Sequence, residues 1–363
     1  MSTTTPAPPG HRTARRQLAL LVAAFVPLFA GPGALQLYLR DLYAGAGQAG
    51  VSAAVFLAVA YSAMGVHRLL VGWTVRRLGD RAALLVGAFG YVLFAAAQWP
   101  GIGGWWLVLV AAAFGWCGSW VWLVTGATVL DLSRRAAFGR AVGLGVAAVA
   151  LLASRRPPPV RREPVRVRTL LRFARDPRLV IVGLFLMVGS MPFGLILGAF
   201  RDHVSRSAEV WQVVPWFFLA RSVLALVGGS LVDRVGRGRA LTIGFAIGAI
   251  ALAAVPWLET SIGLAVAALA MGIQVSLIPV AGTALVGDIT AGPERPIALG
   301  VLFFWRDVGA VAGILGGAAV SRHFGAGGWG FLVFAGVLAV FAGLAVVLSR
   351  RADAPASGPE GAG

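Results

Sequence analysis

The chain has 363 residues, of which 58% are hydrophobic and only 12% charged, with a mean hydropathy of +0.84. A soluble globular protein carries about 25% charged residues, so a soluble enzyme and a disordered chain are both excluded. The net charge of +17 rests on arginine alone, with no lysine, and the arginines stand in short clusters between apolar runs. That is a topology pattern and not a nucleic-acid surface.

Residues 1–16 form a Thr-, Pro- and Arg-containing tail. Apolar segments follow at 17–39, 49–73, 82–100, 104–130, 137–153, 178–200, 211–232, 240–258, 261–286, 297–320 and 328–349. A span needs about 20 apolar residues, and backbone groups in hydrocarbon must be satisfied within their own segment. These segments are therefore expected to be membrane helices, despite Pro27, Pro32, Pro192, Pro215 and Pro279 inside them. The first is expected to be a retained span and not a cleaved signal. Arg76, Arg77 and Arg81 follow the second segment, Arg134, Arg135 and Arg140 the fourth, Arg234, Arg237 and Arg239 the seventh, and Arg350 and Arg351 the last. The positive-inside rule puts these loops and both termini on the cytoplasmic side. The fold class is an all-α polytopic membrane protein. Its predicted parts are a shortened bundle at 17–153, an Arg-rich linker at 154–177, a six-helix bundle at 178–350 and a tail at 351–363.

Nothing points to an enzyme. Cys117 is the single cysteine, which excludes an intrachain disulfide, and the four histidines show no metal spacing. No nucleophile–base pair or phosphate loop is present. No metal or cofactor is expected; the expected partners are the lipid bilayer and a small solute.

The chain repeats itself with an offset of 157: Gly72 answers Gly229, Gly79 answers Gly236, and Asp131 answers Asp288. The repeat also exposes a deficit. Asp288 lies 62 residues before Arg350, whereas Asp131 lies 24 before Arg155, so the first half is 38 residues shorter. The missing stretch maps to the end of a fifth helix and the start of a sixth. The uncharged part of segment 137–153 is 13 residues, about 20 Å of helix at 1.5 Å per residue. It is too short to span fully and is expected to be re-entrant or partly inserted, which leaves ten true spans.

The loop after the seventh segment reads Gly229-x-x-x-Asp233-Arg234-x-Gly236-Arg237. It resembles the G-x-x-x-D-R-x-G-R/K signature of the major facilitator superfamily. The copy after the second segment keeps Gly72, Arg77, Gly79 and Arg81, with Arg76 in place of the acid and Asp80 in place of a base. Asp131 and Asp288, each with an arginine beyond it, match the ends of the family's fourth and tenth helices. The resemblance implies two pseudo-symmetric helical bundles and alternating-access transport of a small organic, amphipathic or drug-like solute, by efflux or uptake. It also implies that the motif residues gate the cytoplasmic side. A truncated, non-transporting relative is the competing expectation, and the deficit favours it.

The family's first, fourth, seventh and tenth helices line its cavity. Matched onto this chain they carry Gln36 and Tyr38, Trp116, Ser119, Trp120 and Trp122, Met191, and Gln274 and Ser276. Charges inside spans are costly and commonly functional. Arg221, Arg306 and Asp307 are therefore candidates for a cavity or coupling role, while Arg68 is expected to snorkel to the nearby loop. Asp307 and Asp41 are the carboxylates available if transport is proton-coupled. A small-residue face, Gly309, Gly313, Gly316 and Gly317, is expected to pack against the eighth helix or the first half.

Overall fold

The structure is a computed structural model that describes residues 36, 39, 53–97, 105–132, 167–290, 294–324 and 328–353. Among the described residues the chain is helical, with no strand. The helices are α1 (Ala53–Ala96), α2 (Trp106–Leu132), α3 (Val167–Arg175), α4 (Pro177–Leu197), α5 (Ala199–Ser207), α6 (Val210–Val235), α7 (Arg237–Ala254), α8 (Ser261–Ile289), α9 (Arg295–Phe324) and α10 (Phe331–Asp353). Among the described residues seven stretches are long and apolar enough to cross a membrane, or eight when α6, bent by 61°, is counted as one span. Residues 82–96 form a shorter apolar helix. The chain is thus an integral membrane protein. Only Gln36 and Leu39 of segment 17–39 are described; segment 137–153 and the 38-residue deficit lie outside the described residues.

Local chemistry sets several boundaries. Asp176 caps α4, its Oδ1 accepting from the Arg178 amide at 2.9 Å, and Pro177 occupies the first turn. Thr260 caps α8 by accepting from the Gly263 amide at 3.1 Å. Pro192, Pro215 and Pro279 sit inside α4, α6 and α8, as expected for membrane helices.

The repeat is visible in the backbone. Gly79 has φ 77° and ψ 158°, and Gly236 has φ 93° and ψ 148°. Both occupy a region that is essentially restricted to glycine, so each motif loop turns at its equivalent glycine. A Cβ at either position would meet no atom within 4 Å, so a substitution there reports backbone strain alone. Gly236→Ala is expected to cost about 1–3 kcal/mol, read as a lowered melting temperature in detergent, with a similar loss for Gly79→Ala.

In the first half α1 packs on α2; in the second, α9 packs on α4, α8 on α6 and α7 on α10. The halves meet where α9 lies against α1 and, less extensively, α2. The small-residue face of α9 has a different partner from the one expected. Ideal Cβ atoms on Gly309 and Gly313 would fall 1.8 and 2.1 Å from the carbonyl oxygens of Met187 and Met191. That seam packs on α4 within the second half; Gly316 instead meets the Phe334 ring of α10. Glycine is needed because the neighbour is backbone, which cannot move aside as a side chain does.

The linker contains an ordered element. In α3, Phe173 is buried while Arg172 points outward and forms an ion pair with Glu294, just before α9. The linker is thereby tied to the start of α9.

Candidate functional site

The charges in the spans converge on the junction between the halves. Gly300 of α9 lies so close to α1 that a Cβ there would be 2.6 Å from the Arg68 carbonyl oxygen, and Gly65 of α1 approaches Asp307 and Phe304. This close approach brings Arg68 Nε within 3.0 Å of Asp307 Oδ2. Their side chains are 0% and 2% exposed, respectively. Arg68 also donates to the Phe303 carbonyl at 3.3 Å and to the Met64 sulfur at 3.0 Å. The expectation that Arg68 snorkels is overturned. It lies eleven residues before Gly79, about 16 Å along the helix, too far to reach the loop when a carboxylate stands beside it.

Arg306 joins the cluster, 3.3 Å from Asp307 Oδ1. Its guanidinium lies 5.0 Å from the Trp122 ring centroid and 4.8 Å from that of Phe303. Arg68 faces Phe303 at 5.1 Å. These contacts are cation–π in kind. A second group adjoins the first. The Tyr61 hydroxyl donates to Gln36 Oε1 at 3.1 Å, Tyr61 packs edge-on to Phe193 at 5.6 Å, and Arg221 lies 4.6 Å from the Phe193 centroid. Tyr61 is within electrostatic reach of Arg221, Arg306 and Asp307. The junction thus gathers Gln36, Arg221, Arg306 and Asp307 from the sequence candidates.

Other candidates lie elsewhere. Trp116 stacks on His67 at 3.8 Å, and Trp120 packs edge-on to the same ring while donating to Thr74 at 2.8 Å. Both brace α1 against α2. Ser119 hydrogen-bonds the His67 ring. Gln274 donates to the Gly189 carbonyl at 2.8 Å and ties α8 to α4 inside the second half. Tyr38 lies outside the described residues. Tyr61 and Arg68 are the junction residues that sequence reasoning missed. The signal for Arg68 was Asp307 itself, an intramembrane acid that requires a cation.

At the motif loops the second copy forms an ionic chain. Arg237 lies 3.9 Å from Asp233 and 2.6 Å from Asp288. It therefore joins the turn before α7 to the end of α8. Gly229 is buried and Arg234 is exposed. In the first copy Arg77 stacks 4.0 Å from Trp73. The side chains of Asp80, Arg81 and Asp131 and the surroundings of Gly72 lie outside the described residues. No group of three metal-ligating side chains occurs among the described residues.

Comparison with known proteins agrees with this architecture. The profile of the Major Facilitator Superfamily matches residues 179–363, just over half of the chain. A protein described as the uncharacterized MFS-type transporter EfpA, from two strains of Mycobacterium tuberculosis, is 32% identical over 133 residues. That match covers 36% of this chain and 24% of the relative, so it spans about a quarter of the relative's length. Among solved structures, the human organic anion transporter MFSD10 superimposes with a TM-score of 0.62 at 18% identity, covering 91% of this chain and 96% of that one. The transporter FucP in the outward conformation gives 0.64 at 13% identity, covering 90% and 98%. At these identities the structural likeness concerns the fold. With the matched profile, the paired motif turns and the helical spans in agreement, the chain belongs to the major facilitator superfamily of membrane transporters.

Proposed function

We propose that the protein is a secondary transporter that moves a small organic solute across the cytoplasmic membrane by alternating access, with the motif loops and both termini in the cytoplasm. The observation that carries this reading is the Arg68–Asp307 pair, which joins α1 of one half to α9 of the other in a fully buried setting. Buried ion pairs that bridge two bodies suit a switch, because they hold one arrangement and are lost in the other. Here the pair stands beside the close approach at Gly300, in the part of α9 nearer the motif loops. In this arrangement it closes that end. The Arg237 contacts to Asp233 and Asp288 lie within the second half, where they stiffen the loop. Orientation follows from the arginine clusters.

The 38-residue deficit supports a second reading, a chain that keeps the fold without transporting. Counterflow separates the two. Purified protein in liposomes preloaded with unlabelled naphthalene-2-sulfonate, naphthalene-2-sulfonamide or 2-naphthyltrimethylammonium is diluted into the same labelled solute. Saturable, protein-dependent overshoot with at least one solute is expected. No overshoot with any of them, from protein that is folded and binds one of them, would establish the second reading.

A further inference from the structure

Positive charge exceeds negative charge at the junction. Arg68, Arg221 and Arg306 all stand within spans, and Asp307 is the one carboxylate gathered with them among the described residues. Asp41, the other acid within reach of the apolar segments, adjoins its own arginine, Arg40. Arg68 is committed to Asp307, and Arg306 shares the same carboxylate. Two cationic charges are therefore left over.

Arg221 carries one of these charges outright. It stands eleven residues after Val210 and fifteen before Gly236, near the middle of α6. Its guanidinium lies 4.6 Å from the Phe193 centroid, and it makes no ion pair or hydrogen bond among the described residues. It is half-buried, and Tyr61 of the junction is within its electrostatic reach. Arg306 is within its electrostatic reach and repels it. A cation at membrane depth without a counter-charge is unfavourable, and its five donors match a carboxylate or sulfonate in a planar fork. Phe193, Tyr61 and Trp122 supply flat apolar walls nearby.

Resting on the transporter reading of this same site, we infer that the solute is an amphipathic organic anion, with its acidic group on Arg221 and its apolar body against Phe193, Tyr61 and Trp122. Arg306 is the second cation facing the anion. Neutral analogues lose the charge-assisted contact, and cations meet repulsion from two arginines.

Equilibrium binding to the purified full chain in detergent tests this without requiring transport. The probe is labelled naphthalene-2-sulfonate, an anion at every accessible pH. It is competed by unlabelled naphthalene-2-sulfonate, by the neutral naphthalene-2-sulfonamide and by 2-naphthyltrimethylammonium. Saturable binding of the sulfonate is expected, with the sulfonamide weaker by about tenfold to a hundredfold and the cation ineffective. Arg221→Gln should lower sulfonate affinity by about the same factor, and Arg221→Lys by less. Neither should lower the melting temperature, because Arg221 holds no carboxylate among the described residues. The inference is overturned if the three solutes compete equally, if the cation competes best, or if Arg221→Gln binds as the wild type does. It is also overturned if Arg221→Gln loses binding only together with the melting transition, since that marks a packing role. Counterflow of the cation alone would refute the anion while leaving the transporter reading intact. Sulfonate binding without any counterflow would do the reverse.

Discussion

Asp307→Ala is expected to be the most damaging single charge removal in the protein, at about 3–5 kcal/mol. It strands Arg68, whose side chain is 0% exposed, with only the Phe303 carbonyl and the Met64 sulfur as polar partners among the described contacts. Removing the other partner should cost less. After Arg68→Met, Asp307 keeps Arg306 at 3.3 Å, so its charge remains partly compensated. The double variant Arg68→Met/Asp307→Leu leaves neither charge of the pair uncompensated, although Arg306 loses its carboxylate, and should recover part of the loss, since apolar replacements of buried pairs are commonly neutral or better. Thermal unfolding of the purified variants in one detergent checks the order: Asp307→Ala lowest, then Arg68→Met, with the double variant above Asp307→Ala. Restored stability would not restore transport if the pair is the switch. The double variant should therefore be stable and impaired in counterflow.

The second large effect is expected at Gly309. A methyl group there would sit 1.8 Å from the Met187 carbonyl oxygen, and only separation of α9 from α4 could accommodate it. Overpacking commonly costs about 1–3 kcal/mol. Gly309→Ala should lie at or above the top of that range because the obstacle is backbone, and Gly309→Leu should fail to assemble. Gly336→Ala is the control. A Cβ at Gly336 would meet nothing within 4 Å, so the change should fall within about 0.5 kcal/mol of neutral. Expression and melting temperature in detergent separate these outcomes.

Some of this was legible in the residues themselves. Long apolar segments define spans through the dielectric of the bilayer, and no long-range information is needed to see them. The repeat at 157 found Gly79 and Gly236, and both adopt the same glycine-restricted turn. Arg237 with Asp233 and Asp288 was also recoverable, because a motif places them at the ends of consecutive helices. The depth of Arg68 was not. Nothing within a turn or two of Arg68 reveals a partner 239 positions away, and the same spacing from a loop fits snorkelling equally well. The packing of the aromatic candidates was hidden for a related reason. A helix known to line a cavity also has faces that pack on neighbours, and the sequence does not state its rotation. Trp116 and Trp120 use the packing face against His67 and Thr74, whereas Trp122 reaches Arg306. Gln274 is similar: a polar residue in a span satisfied itself on the backbone carbonyl of Gly189, which no local pattern predicts.

The central claim is that the Arg68–Asp307 pair holds the two halves together at the motif-loop end. Its most direct test is the distance between reporters at that end, measured by pulsed electron paramagnetic resonance in nanodiscs. Leu78, just before the Gly79 turn of α1, and Ile289, the last residue of α8, are both at least one-third exposed and belong to opposite halves, so spin labels on cysteines there, in a Cys117→Ala background, report the separation. A single short distance is expected with Arg68 and Asp307 intact, and a second, longer population is expected to appear in Asp307→Asn. An unchanged distribution in Asp307→Asn would contradict the claim, because the halves would then stay closed without the pair.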